Sequence, residues 1–246
     1  MGLPLREYYN IPSEAVFRLK TYRPKMLFTE LDQNLWIAPY HSKGLLRFPA
    51  KTIAIKLGAN LAVFSPGPWS AEAQAQLESF GNIRWLVAPN SFHHLFYEEW
   101  TAKLPQVETW GPLALAEKEK SLHFTHLWPV ENPWGSDLEI FLLEGMPKVQ
   151  ERLIYHKPSG SLIVTDLFFN LHQVDHTATR MAIKAFGAFG KLVTSNLIKK
   201  LIKDQVAFKT SLEPVLKLEP KRLIMSHGDI IEEDAPARLR EVLDWV

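Results

Sequence analysis

The sequence predicts a single domain of mixed α/β (α+β) class. Three observations carry that prediction. Short runs of Ile, Leu, Val and aromatic residues, each bounded by turn residues, recur along the first two-thirds of the chain with helical segments between them. From Ala178 to about Leu218 the texture changes to helix. The 246 residues show no repeat, low-complexity stretch or flexible linker, and 14 Phe and 8 Trp supply bulky material for one large core.

The elements follow in order. Leu35–Pro39, Thr52–Leu57 and Leu61–Phe64 read as strands, with Gly58-Ala59-Asn60 as the turn between the last two. Ser70 is placed to cap a helix over Ala71–Phe80, Glu72 lies in its first turn, and Gly81-Asn82 ends it. Ile83–Ala88 reads as a buried strand broken by Pro89-Asn90-Ser91, and Phe92–Leu104 as the next helix. Further strands are expected at Val107–Trp110, Leu138–Leu143, Arg152–His156 and Leu162–Thr165, the last two joined by the turn Lys157–Ser161. Val193, Leu197 and Leu201, widened by Ile198 and Ile202, form an apolar stripe at helical spacing, and the neighbouring lysines form its solvated face. A strand at Arg222–Met225, then His227-Gly228 and a helix over Ala235–Trp245, close the chain.

Composition excludes several function classes. A formal net charge of +1 gives no electrostatic reason to expect nucleic acid as a partner. With no cysteine there are no disulfides, no thiol catalysis and no Cys-based zinc site. Arg6 and Glu7 interrupt the run that a signal peptide would need, and the longest uncharged stretch, Leu57–Ala71, contains glycines and prolines. A membrane helix needs about 20 mostly apolar residues. The expectation is a cytoplasmic protein without a membrane segment, acting on a small molecule.

Polar residues fall in a pattern against these strands. Ile83–Ala88 leads to His93-His94, Leu162–Thr165 ends at Asp166, and Arg222–Met225 leads to Ser226-His227. Sites in open α/β sheets lie beyond the carboxyl ends of strands, so these residues can converge. Three imidazoles and a carboxylate suit Zn²⁺, Fe²⁺ or Mn²⁺. Each residue also has a plain structural reading: the His-His pair as a helix cap or surface feature, Asp166 as an N-cap, His227-Gly228 as a turn. Glu151 offers a further oxygen or is an exposed residue beside Arg152. His172 and His176 line a cleft or serve as surface or capping residues. There is no Gly-x-Ser-x-Gly nucleophile motif and no Gly-rich phosphate loop.

The order of these motifs resembles the metallo-β-lactamase superfamily, and most closely a branch of unknown function within it. Trp85–His94 is similar to the strand that leads into that superfamily's His-x-His-x-Asp-His motif. Ile163–Asp166 is similar to its strand-terminal Asp, Met225–Gly228 to its last His, and Ala62–Gly67 to its first strand and turn. The resemblance runs from about Leu31 onward and implies a four-layer αββα sandwich, two mixed β-sheets flanked by helices, with the metal site at one edge. The departures are specific. Aligning His94 with the final His of the motif puts His93 at its Asp and leaves Pro89 and Ser91 where its first two histidines belong. No His lies near Leu143–Val149. The resemblance thus implies that the first metal site is lost. The second set is kept as His93, His94, Asp166 and His227, giving one divalent metal or a relic site with none.

With a metal the chemistry would be hydrolytic, since a bound cation acidifies water and polarises the substrate's oxygen. Asp166 is then the candidate catalytic residue among the ligands, and the helical segment at about 178–218 would shape the pocket. The alternative is a non-catalytic relic that binds a small molecule or a protein.

Overall fold

The structure, a computed structural model, describes residues 26–128 and 133–246. The reading of Met1–Asn10 lies outside them. Seven strands form one sheet in sequence order: β1 (Thr29–Asp32), β2 (Leu35–His41), β3 (Pro49–Leu57), β4 (Asn60–Phe64), β5 (Asn82–Val87), β6 (Glu108–Pro112) and β7 (His126–Trp128). The first four pair antiparallel and the rest parallel. A second sheet joins β8 (Leu138–Leu142), β9 (Arg152–His156), β10 (Ser161–Asn170) and β11 (Leu192–Val193), with β12 (Arg222–Gly228) parallel to β10.

The period-two rule for strands explains how these sheets stack. On β3, Ile53 and Ile55 face one core while Ala50 and Ala54 face another. On β10, Ile163 joins Ile53 and Ile55, whereas Leu162 and Val164 face a third core. The shared core lies between the sheets and holds Phe64, Trp85, Trp110 and Ile224. Outside the first sheet lie α1 (Ala71–Phe80), α2 (Tyr97–Thr101) and α3 (Leu113–Lys118), which bury Leu77, Tyr97, Trp100 and Leu115. Outside the second lie α4 (Thr177–Ala185), α5 (Asn196–Leu201), α6 (Gln205–Leu216) and α7 (Ala235–Val242), burying Ile183, Ile198, Phe208 and Leu239. The order is helices, sheet, sheet, helices, as the αββα expectation has it. Each large side chain removed from water contributes about 1.5–3 kcal/mol.

Three departures from the expected elements bear on the site. Residues 92–96 are turns, not helix, because the Asn90 side chain accepts the Phe92 and His93 backbone N–H groups at 2.9 and 3.1 Å and so competes with helical pairing. The stripe at 193–202 is not one helix: Val193 belongs to β11, and Ser195 caps the short α5 through the Ile198 N–H. Asp166 does not end a strand. β10 continues to Asn170, and its pairing with β12 shifts register between Val164 and Phe169.

Candidate metal centre

Asp166 sits inside that register shift, where the backbone has lost its ladder partners. Glu151 replaces them. Its Oε1 accepts the N–H groups of Thr165, Asp166 and Leu167 at 3.0, 3.0 and 3.2 Å. Far from being exposed, Glu151 is fully buried. Burial first, then the Asp166 charge, push its carboxyl up, and the N–H donors pull it back. Glu151 therefore fixes the backbone that carries Asp166. Its oxygens are engaged there and do not point into the cluster of ligand atoms described next.

The side chain of Asp166 meets two imidazoles. His93 Nε2 lies 3.2 Å from its Oδ2, His227 Nε2 lies 3.4 Å from its Oδ1, and the two nitrogens are 3.2 Å apart. All three residues are buried, and their ligand atoms lie within 4.8 Å of one another. Burial raises the Asp166 carboxyl, but the neighbouring His93 and His227 rings outweigh it and hold Asp166 well below the usual carboxylate range. The group presents an ionised oxygen and two ring nitrogens.

Neighbouring elements orient each member. His227 Nδ1–H donates to the Pro49 carbonyl at 2.7 Å, which leaves Nε2 as the lone-pair atom facing Asp166. Phe169 stacks on the same ring at 5.1 Å. Lys51 Nζ donates to the carbonyls of Met225 and Gly228, tying β3 to the end of β12; burial lowers this ammonium to about 8. Gly228 has φ +104, and a Cβ there would lie 2.1 Å from the Asn170 carbonyl oxygen, so only glycine lets β12 close against β10 beside His227. Asn90 is the hub of the other side. Its Nδ2 donates to Asp166 Oδ2 at 2.6 Å and to Thr165 Oγ1 at 3.0 Å, while its Oδ1 holds the turn that carries His93.

The donor set fits a divalent cation. Two Nε2 atoms that close, one of them left as a bare lone pair by its own Nδ1–H bond, need a proton or a cation between them. His93 Nδ1 is buried without a hydrogen-bond partner, so no backbone group fixes its tautomer. Two imidazoles and a carboxylate match borderline metals such as zinc.

The other candidate residues go elsewhere. His94 lines the cavity that opens beside the three residues but pairs with Glu119: its Nε2 lies 3.4 Å from that carboxylate, and burial, then the Lys118 charge, lower it to about 4. The cluster of close ligand atoms holds His93 and not His94. His176 caps α4, with Nδ1 within 2.8 Å of Thr179 Oγ1, and His172 is exposed and bonds Asn170. Ser91, at the position of one missing histidine, donates to the Lys148 carbonyl at 2.6 Å and so ties two loops together. Asn90 escaped the sequence reading. Its position directly after a proline that ends a buried strand is the one signal available.

A cavity of 560 Å³ opens beside the three residues, all of which line it. Such a volume lies within the roughly 300–1,000 Å³ of small-molecule sites. Tyr40, whose hydroxyl is pushed well up by burial and by the Asp166 charge, shares that lining.

Solved structures carry the same fold. TMB-1 is 13% identical, with 90% of this chain and 98% of that one covered at a TM-score of 0.62. The DIM-1 metallo-β-lactamase is 12% identical, with 91% and 99% covered at 0.61. The chain has the metallo-β-lactamase fold. The FIM-1 metallo-β-lactamase from Pseudomonas aeruginosa, in a mono-zinc form, is a third such neighbour, 12% identical with 92% and 98% covered at 0.61. No family model matches the chain, and no curated protein does. On this metallo-β-lactamase fold, the buried His93–Asp166–His227 group could hold a metal ion. No helix among the described residues is long and apolar enough to cross a membrane.

Proposed function

We propose that this protein is a metal-dependent hydrolase of small molecules that holds one divalent cation, Zn²⁺, Fe²⁺ or Mn²⁺, on His93, Asp166 and His227. One observation carries the reading: side chains from two sheets bring two imidazole nitrogens and an ionised carboxylate together at the wall of a small-molecule cavity. When bound, such a cation supplies Lewis acidity and lowers the pKa of water. The chain's own residues do the rest. Asn90 and Glu151 hold the Asp166 carboxylate and its backbone, Pro49 and Phe169 set the His227 ring, and apolar walls limit access of bulk water. His94, engaged with Glu119, is outside the ligand set in this proposal.

A non-catalytic binding protein is the second reading, favoured by Pro89 and Ser91 standing where a second cation would need histidines and by the lack of a His over Leu143–Val149. Elemental analysis of protein purified without chelator tests the first. About one metal per chain is expected in the wild type and in His94→Ala, with little in His93→Ala and His227→Ala. Metal-free wild-type protein, or equal metal in all four, sinks the hydrolase proposal in favour of the binding protein.

A further inference from the structure

We infer that the ligand taken by this site is an uncharged small molecule with an extended apolar chain or ring, such as a neutral ester or lactone of a medium-chain acid. The inference rests on the cavity beside His93, Asp166 and His227 being the site of the proposed function, and deepens it by naming the ligand's class.

The lining sets the first half of that statement. Phe48, Phe92, Phe169, Ile183, Phe186 and Ile198 make the apolar part of the cavity wall, which also carries the hydroxyls of Ser42 and Ser195. Four of these come from β10, α4, α5 and the connection between the helices, so the chain after β10 builds an apolar pocket over the site. At the mouth the apolar character continues into solvent. Leu95, Phe186 and Leu197 line the cavity and are 46%, 37% and 43% exposed. Large apolar side chains left in water around a concave apolar surface mark a place where an apolar ligand completes the burial.

Charge sets the second half. The charged residues of the lining other than histidine are Lys43, Lys118, Glu119 and Asp166. Lys43 is 2.6 Å from Glu99 and lies over the Phe96 ring. Lys118 is 3.4 Å from Glu119 and lies over Phe92. Both cations are thus engaged with carboxylates and rings. An anionic ligand would have to break one of these ion pairs. A neutral one breaks none.

Calorimetric titration of the full chain with octan-1-ol, butan-1-ol and octanoate tests this, on protein as purified and after dialysis against EDTA. Each methylene that enters the cavity raises affinity about fourfold at most, so octan-1-ol is expected to bind at least about tenfold tighter than butan-1-ol in both preparations. After EDTA, octanoate is expected to bind no tighter than octan-1-ol. Phe186→Ser and Leu197→Ser change exposed side chains, and each is expected to weaken octan-1-ol at least about threefold with an unchanged melting temperature. Octan-1-ol binding that persists after EDTA has removed the metal separates this inference from the metal reading. Equal affinities for the two alcohols, tighter octanoate after EDTA, or wild-type affinity in both serine variants overturns it.

Discussion

Asn90 shows how one uncharged side chain can organise a site. Its amide is fully buried and spends both ends: the oxygen holds the turn bearing His93, and the nitrogen holds Asp166 and Thr165. Removing it leaves the Asp166 carboxylate short of a donor and two backbone N–H groups without an acceptor. Losing hydrogen bonds to a charged, buried group costs about 1.5–3 kcal/mol. Partners that orient a metal ligand typically contribute 10–100-fold in affinity. Asn90→Ala is therefore expected to lower unfolding free energy by about 2 kcal/mol in urea and to weaken zinc at least about tenfold in a chelator competition. Zinc affinity equal to wild type in a folded Asn90→Ala chain would remove Asn90 from the site. The histidines and Asp166 were legible in the sequence because ligand chemistry needs those residue types. Asn90 was not, because an amide after a proline is an ordinary turn residue until its partners, 75 and 76 positions away, are known.

Elements were legible where local signals agree. The helix read over Ala71–Phe80 is α1 residue for residue, since Ser70 accepts the Ala73 N–H at 3.1 Å and Gly81 donates back to the Leu77 carbonyl. They were misread where a long-range partner decides. The stripe Val193–Ile202 has helical spacing, yet Val193 pairs with Phe169 of β10, and the chain turns at Thr194-Ser195 before α5 begins. Similarly, Asp166 looked strand-terminal because the polar Thr165-Asp166 follows an apolar run, whereas Glu151, from the start of β9, carries the backbone through the register shift to Asn170. β1, β7 and α3 escaped the reading because each is short. The two caps differ in consequence. Ser70→Ala should cost about 1 kcal/mol of stability, as a lost N-cap does, and leave octan-1-ol binding unchanged, because α1 lies on the far side of the first sheet. Ser195→Ala should cost about the same and also weaken octan-1-ol, since α5 forms the cavity wall. Urea midpoints and titrations of both variants check this. Identical binding in the two would detach the cavity from α5.

At the scale of the molecule, the three ligands join what the αββα order keeps apart. His93 follows β5 of the seven-stranded sheet, whereas Asp166 and His227 stand on β10 and β12 of the other. Between the sheets, apolar packing around Trp85, Trp110, Phe64 and their neighbours is joined by polar ties from Lys51 to the end of β12 and from Arg222 to Asp32 of β1. A cation on all three would add a polar link across that core and would be released only when the sheets part. An ion that binds the folded chain alone stabilises it by about 2.7 kcal/mol at 100 times its dissociation constant. For a chain of this size, 1 kcal/mol moves the melting temperature by about 2–4 °C. Zinc at that excess is thus expected to raise the melting temperature by about 5–10 °C. EDTA should reverse the shift, and His93→Ala should abolish it. The change should appear in a single transition of the tryptophan fluorescence, because the cluster between the sheets reports their separation. A shift confined to an early sub-transition, or one equal in wild type and His93→Ala, would mean that the ion binds outside the junction of the sheets.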